Sequence, residues 1–155
     1  MSDDPVERVE RAMVAIRRGQ TRRALGRLHS QRSGADVDVD PTLMGVLDAV
    51  EELGGGCGVG DIAAALGIDQ PRASRLVARA VERDLLVRNA DQRDGRRTPV
   101  ALTATAQRLL ARAHRFRREV FAEAMDGWSD ADRAAFARLL GDFVASYARI
   151  TGQQR

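Results

Sequence analysis

The chain lacks lysine altogether, because all 25 of its Lys and Arg positions are arginine. Without lysine it cannot form a Walker A phosphate loop, a Schiff base or a Ser-Lys dyad. It has one cysteine, Cys57, so an internal disulfide is excluded and a reducing, cytoplasmic setting is expected. These absences remove P-loop nucleotide hydrolases, lysine-dependent enzymes and disulfide-stabilised domains from consideration.

Long apolar runs and clustered metal ligands are missing as well. No segment approaches the roughly 20 apolar residues of a membrane span, and the acidic N-terminus does not resemble a secretory leader. His29 and His114 lie far apart, without the i, i+4 spacing of a zinc site, and no nucleophile–base pair stands out. We therefore expect a protein that is not an enzyme, holds no metal or cofactor, and contacts no membrane.

The most informative segment that is present predicts two short helices around a tight turn. Residues 60–66 have helical propensity and Gly67 ends them. Asp69 is then a typical N-cap for a second helix, with Pro71 in its first turn. Two helices joined by a three-residue turn are typical of a helix-turn-helix, whose second helix enters the major groove of DNA.

The second predicted helix has an apolar side and a polar side. Apolar residues recur there at spacings of three and four, which predicts a buried stripe of Ala73, Leu76, Val77 and Ala80. The polar side can donate to phosphates or base edges. Its residues are Gln70, Arg72, Ser74, Arg75 and Arg79.

A predicted hairpin follows this helix directly. Residues 85–88 and 98–102 are short apolar or β-tolerant runs, and the turn-forming residues 91–97 lie between them. A hairpin after a recognition helix is a wing, and arginines at its end suit a narrow minor groove. The alternative is an ordinary solvated turn, but beside a helix-turn-helix we favour the wing. Its arginines are Arg93, Arg96 and Arg97.

Charge is distributed unevenly along the chain. Residues 35–69 hold eight acidic residues and no lysine or arginine, whereas residues 70–97 hold eight arginines and four acidic residues. The basic region coincides with the proposed recognition helix and wing, where contacts to phosphates would be needed.

Amphipathic helices flank the helix-turn-helix on both sides. Apolar spacing predicts a long helix within residues 1–34, a helix capped by Asp40, and two long helices after residue 103. The glycine-rich residues 54–58 follow a helix rather than a strand, so we interpret them as a flexible connector and not as a phosphate loop. Because the terminal helices are more apolar than a helix-turn-helix could cover, we expect them to interleave with those of a second copy.

In element order and in motifs, the chain resembles the MarR family of winged-helix regulators. The most specific matches are residues 66–68 followed by 74–77, residues 85–88, and an Asp-x-Arg-Asp-x-Arg wing signature at 91–96. The resemblance implies that Arg96 enters the minor groove while Arg93 and Asp94 brace the hairpin. It also implies that the major groove receives the side chains of Gln70, Pro71, Arg72, Ser74 and Arg75.

Members of that family are homodimers that mostly repress transcription, and many release DNA on binding small phenolic or lipophilic compounds. The resemblance therefore implies a cytoplasmic homodimer that represses from a palindromic operator, with a small aromatic or lipophilic effector. The expected fold is mainly α (α+β), with a winged helix-turn-helix at 40–102 and dimerisation helices at 1–34 and 103–155. The alternative is a winged-helix protein-interaction module that does not bind DNA.

Three positions depart from the family pattern. Asp84 stands where the family usually has glycine, and aspartate tolerates the left-handed conformation. Pro71 removes a backbone donor from the recognition helix, and Pro99 is expected on an edge of the hairpin. Among the remaining candidates, Cys57 is interpreted as a small packing residue rather than a redox sensor, because acids surround it and no second cysteine exists.

Overall fold

The computed structural model describes residues 4–21, 24–33, 40–89 and 98–152. The chain forms two compact units, Met1–Ala111 and Arg112–Arg155. None of the described helices is long and apolar enough to cross a membrane. The described elements are, in order, α1 (Pro5–Thr21), α2 (Ala24–Ser33), α3 (Pro41–Glu52), α4 (Val59–Leu66), α5 (Gln70–Glu82), β1 (Leu86–Arg88), β2 (Val100–Leu102), α6 (Ala104–Ala124) and α7 (Asp130–Ile150). The predicted mainly α winged helix-turn-helix is confirmed.

Helix α3 supplies the centre of the first unit's core. Its start is as predicted, since the Asp40 side chain accepts a hydrogen bond from the Thr42 N–H at 2.9 Å and Pro41 occupies the first turn. Each fully buried apolar side chain here contributes about 1.5–3 kcal/mol to stability. The largest of them are Leu43, Val46, Leu47, Val50, Ile62, Val77, Leu86, Val100 and Leu110.

The helix-turn-helix is formed by α4 and α5. Helix α4 ends at Leu66 because Gly67 adopts a left-handed backbone conformation with a φ of 64°. This conformation is unfavourable for residues that have a Cβ atom, so glycine is preferred here. Asp69 then caps α5, and its carboxylate accepts a hydrogen bond from the Arg72 N–H at 2.7 Å. The predicted buried stripe of α5 is confirmed as Ala73, Leu76, Val77 and Ala80.

The hairpin pairs β1 with β2 antiparallel, with Val87 opposite Ala101. Residues 90–97, which include the tip of the predicted wing, lie outside the described residues. Pro99 directly precedes β2 rather than lying within it, and its carbonyl accepts a hydrogen bond from the Asn89 N–H at 2.8 Å. A proline at this point removes no donor from the ladder.

The glycine-rich segment before α4 is more ordered than the flexible connector that we predicted. Cys57 forms an isolated antiparallel bridge with Val100, whose N–H donates to the Cys57 carbonyl at 3.0 Å. The Gly56 N–H donates in turn to the Val100 carbonyl at 3.0 Å. Glycine is needed because residues 54–56 all have positive φ, between 65° and 78°. The end of this segment is therefore joined to β2 of the hairpin by backbone hydrogen bonds.

Asp84 and Thr103 join the end of α5 to the start of α6. Asp84 adopts a φ of 56°, the left-handed conformation predicted for it. The Thr103 hydroxyl donates to the Asp84 carbonyl at 2.7 Å and accepts a hydrogen bond from the Ala106 N–H at 3.1 Å. Thr103 is therefore the residue that caps α6.

We predicted one long helix within residues 1–34, and the structure describes two parts of this segment. The chain is helical in α1 and again in α2, but residues 22–23 between them lie outside the described residues. Several large apolar side chains on this segment are exposed, among them Val6 at 73% and Ile16 at 53%.

The second unit, Arg112–Arg155, contains the end of α6 and all of α7. The Ser129 hydroxyl caps α7 by accepting a hydrogen bond from the Asp132 N–H at 3.1 Å. Trp128 packs edge-on against Phe136, with ring centroids 5.3 Å apart. No residue of α7 is buried, so its apolar stripe is exposed in the single chain. The exposed members include Phe136, Leu139, Leu140, Val144, Tyr147 and Ile150.

Candidate nucleic-acid interface

The polar side of α5 is exposed, as the residue spacing predicted. Because its apolar stripe is buried in the core, the helix presents its other side outward along its whole length. The first turn has few free backbone donors, since Pro71 has no N–H and Asp69 accepts from the Arg72 N–H. Side chains would therefore make most contacts at this end of the helix. The exposed side chains are Gln70, Pro71, Arg72, Ser74, Arg75 and Arg79.

Arg79 differs from the other residues of this set because it has an acidic partner. Its Nη2 atom lies 3.0 Å from Oδ2 of Asp40, the residue that caps α3. The Thr42 backbone hydrogen bond, with a smaller contribution from Arg79, lowers the pKa of Asp40 against the opposing effect of burial. The carboxylate therefore stays charged and holds the guanidinium between α3 and α5.

The start of α5 and the base of the hairpin line one cavity. It has a volume of about 360 Å³ and is walled by the first turn of α4 together with Gln70, Arg88 and Thr98. One acidic group, Asp61, also lines it and accepts a hydrogen bond from the Gly58 N–H at 2.8 Å. The two elements that we predicted to contact neighbouring grooves are therefore side by side in the structure.

Arg88 is a residue of this site that the sequence reasoning missed. The sequence placed it in a strand and gave it no role, but its side chain is exposed and lines the cavity beside Gln70. In β1 Leu86 is buried and the next two residues are exposed, an arrangement that arises from packing and that the sequence alone does not indicate. The wing residues Arg93, Asp94, Arg96 and Arg97 lie outside the described residues, so their assignment to DNA stays a prediction.

Cys57 is buried beside β2 of the hairpin. Burial raises the pKa of its thiol, and the nearby charge of Asp61 acts in the same direction against an opposing backbone hydrogen bond. A reactive thiolate needs the opposite surroundings, namely exposure and a nearby cation. The geometry supports our interpretation of Cys57 as a packing residue.

Together, the two helices around a three-residue turn and the antiparallel hairpin that follows define a winged helix-turn-helix protein. Residues 37–97, which contain the helix-turn-helix and β1, match the MarR family model. This match agrees with the MarR family resemblance that the motifs indicated. No curated protein sequence matches it.

Several solved structures are similar in fold to this protein across nearly the whole chain. A MarR family protein from Bacillus stearothermophilus is 19% identical, with 96% of this chain and 99% of that chain covered and a TM-score of 0.78. Streptococcus pneumoniae FabT, solved in complex with DNA, is 16% identical, with 94% and 99% covered and a TM-score of 0.70. Bordetella bronchiseptica BpsR, whose DNA binding is regulated by 6-hydroxynicotinic acid, is 23% identical, with 93% and 95% covered and a TM-score of 0.58.

Proposed function

We propose that this protein is a homodimeric transcriptional repressor that binds a palindromic operator in duplex DNA. The observation that supports this most directly is the exposed polar side of α5, which adjoins the base of the hairpin at a shared cavity. A recognition helix so placed would lie in the major groove while the wing follows the adjacent minor groove. The fold of FabT, which was solved with DNA bound, supports the same arrangement.

Within this proposal the side chains of α5 divide into two groups. Gln70, Ser74 and Arg75 are exposed and have the donors that read base edges, and an arginine forms two hydrogen bonds with guanine. Arg79 is engaged by Asp40, so its contribution to phosphate binding is smaller than that of Arg72. On the wing, Arg96 inserts into the minor groove, Arg93 and Asp94 brace the hairpin, and Arg97 adds positive charge at its end.

Homodimerisation is proposed from the apolar side chains that the single chain leaves exposed. Residues 1–34 and 103–155 carry them, with Ile150 at 84% and Leu139 at 56% exposed. Monomeric proteins rarely expose large contiguous apolar surfaces. A two-fold dimer buries the same surface on both copies and matches the symmetry of an inverted repeat.

A small aromatic or lipophilic effector is the final part of the proposal. It follows from the family resemblance and from the fold of BpsR, whose DNA binding is regulated by an aromatic acid. Once an operator is known, a panel of small aromatic compounds can be tested for release of bound DNA. If no compound releases the operator, the proposed effector is wrong, but the proposed repressor function is unaffected.

Selection of bound duplexes from random DNA tests the proposed function. We expect enrichment of an inverted repeat with half-sites about 10 base pairs apart, one helical turn. Arg75→Ala should cost about 1–3 kcal/mol on the selected site and relax base choice, whereas Arg96→Ala should weaken binding to all sequences. Arg149→Ala, on the exposed end of α7, is the matched control. If wild-type protein enriches no duplex, the alternative of a protein-interaction module replaces the repressor.

A further inference from the structure

Helix α6 carries a row of exposed arginines to which the proposed function gives no role. Residues 104–118 of this helix include five arginines and no acidic residue. Four of the arginines are exposed and, with 3.6 residues per turn, fall within about a third of the helix circumference. We refer to these four residues as the α6 arginine row: Arg108, Arg112, Arg115 and Arg118.

Among the described residues the row has no acidic partner, whereas some arginines of the other long helices have one. In α1, Arg11 pairs with Glu7 at 2.8 Å, and in α7, Arg138 lies 3.7 Å from Asp142. Within the part of the chain that the structure describes, Arg112, Arg115 and Arg118 make no ion pair or hydrogen bond. Arg108 donates only to the hydroxyl of Thr105, at 3.3 Å.

Such a row is unfavourable for an isolated helix. Its members are three or four residues apart, and like charges at that spacing destabilise a helix by roughly 0.2–0.5 kcal/mol per pair. Packing does not explain it, because none of the residues of α6 that are half-buried in the second unit lies within the arc of the row. Ala113, Arg117 and Val120 lie on the opposite side, and His114 and Phe116 lie on the two flanks.

A repeated positive charge without an internal partner suits a ligand with a regular negative charge. The row spans about 15 Å at 1.5 Å per residue, and duplex DNA carries one charge per 1.7 Å of its axis. A protein partner fits less well, because interface centres are rich in aromatic residues and methionine and poor in charge. The other exposed side chains near the row are Gln107, Ala111 and Glu119, none of which is a large apolar anchor.

We propose that the α6 arginine row binds the phosphate backbone of double-stranded DNA, independently of its sequence and in addition to the contacts of α5 and the wing. This inference rests on the proposed function, because it adds a second DNA contact to a protein that already binds DNA. It assigns to α6 an electrostatic contribution to affinity and none to base choice.

The test compares the salt dependence of DNA binding by full-length variants. The first variant replaces the row as Arg112→Gln, Arg115→Gln and Arg118→Gln. The control removes the same charge from exposed positions on other helices as Arg11→Gln, Arg138→Gln and Arg149→Gln. The affinity of both variants and of wild type is measured for the selected operator and for a duplex of unrelated sequence. The salt concentration is varied from about 50 to 200 mM, the range over which phosphate contacts dominate changes in affinity. Thermal unfolding checks the fold, and loss of repulsion should leave the row variant at least as stable as wild type.

The proposal expects the row variant to lose about two to three units per subunit, or about five for the proposed dimer, of the slope of log affinity against log salt, at roughly 0.9 per phosphate contact. The loss should be the same on both duplexes, and the control should keep the wild-type slope. A row variant with the control's slope overturns this inference, while the loss of base choice in Arg75→Ala would still support the repressor. Wild-type protein that binds neither duplex overturns both proposals.

Discussion

The guanidinium of Arg79 and the carboxylate of Asp40 are held 3.0 Å apart, although 39 residues separate them in the chain. The same carboxylate caps α3 through the Thr42 N–H, so one side chain fixes the start of α3 and a point two and a half turns along α5. The exposed helix of the candidate interface is thus tied to the central helix of the core at its surface as well as through its buried stripe.

Replacement of Asp40 is expected to destabilise the protein in a pH-dependent way. Asp40→Ala removes the cap and the ion pair, which should lower the free energy of unfolding by about 1 kcal/mol at pH 7. Because the pKa of Asp40 is lowered by folding, its contribution is complete above the unfolded pKa of about 3.9 and is lost as the pH falls through the folded value. The difference from wild type should therefore be constant above about pH 5 and shrink below about pH 4.

Urea unfolding at several pH values measures this difference. Asp142→Ala is the control, since that carboxylate is 73% exposed and its pair with Arg138 is weak at 3.7 Å. It should change stability by at most about 0.5 kcal/mol. If the difference in the free energy of unfolding between wild type and Asp40→Ala grows as the pH falls, the pKa of Asp40 is not lowered by folding.

Asp84→Gly is expected to stabilise the protein. The left-handed conformation at φ 56° disfavours a residue with a Cβ atom by roughly 1–2 kcal/mol, and glycine relieves this while the backbone carbonyl still accepts from Thr103. The greater freedom of glycine in the unfolded chain offsets part of the gain, so we expect a net increase of a few tenths to about 1 kcal/mol. Thermal unfolding detects it, and Asp84→Val should shift the midpoint downward. A lower midpoint for the glycine variant would show that the Asp84 side chain itself stabilises this junction.

A charge on the apolar stripe of α7 is expected to disrupt the proposed dimer. Leu139→Glu places a carboxylate where a side chain that is 56% exposed in the single chain would be buried against a second copy. Light scattering at micromolar concentration should report a dimer for wild type and a larger monomer fraction for the variant. Arg138→Glu, one residue earlier on α7, is the control and should remain dimeric. A monomeric wild type would remove the dimer from the proposal.

The Cys57 thiol is expected to react slowly in the folded protein. It is 7% exposed and burial raises its pKa, so little thiolate is present or accessible at pH 8. Alkylation followed by mass spectrometry should be much slower in buffer than in concentrated urea. Peroxide should also leave operator binding unchanged, and loss of binding in wild type but not in Cys57→Ser would instead identify a redox switch.

The sequence predicted the fold well where local chemistry determines it. Gly67 and Asp69 mark a helix end and a helix start through backbone conformation and capping, which depend on neighbouring residues alone. The stripe of α5 was likewise predictable from its spacing.

The same reasoning failed where the partner lies far away in the chain. Nothing near Gly56 and Cys57 indicates that both pair with Val100, so a tied segment was interpreted as a flexible one. The pairing of Arg79 with Asp40 and the exposure of Arg88 beside Gln70 also arise only from packing. The structure therefore changes which basic side chains are available to DNA: Arg79 is engaged by Asp40, and Arg88 is exposed.

Titration of purified wild-type protein and of Arg75→Ala into duplex DNA at low ionic strength tests the central claim most directly. The account predicts that wild type binds a selected inverted repeat more tightly than unrelated duplex. It also predicts that Arg75→Ala loses about 1–3 kcal/mol of that preference while still binding both. Equal affinity of the two proteins for both duplexes, or no binding by either, would contradict it.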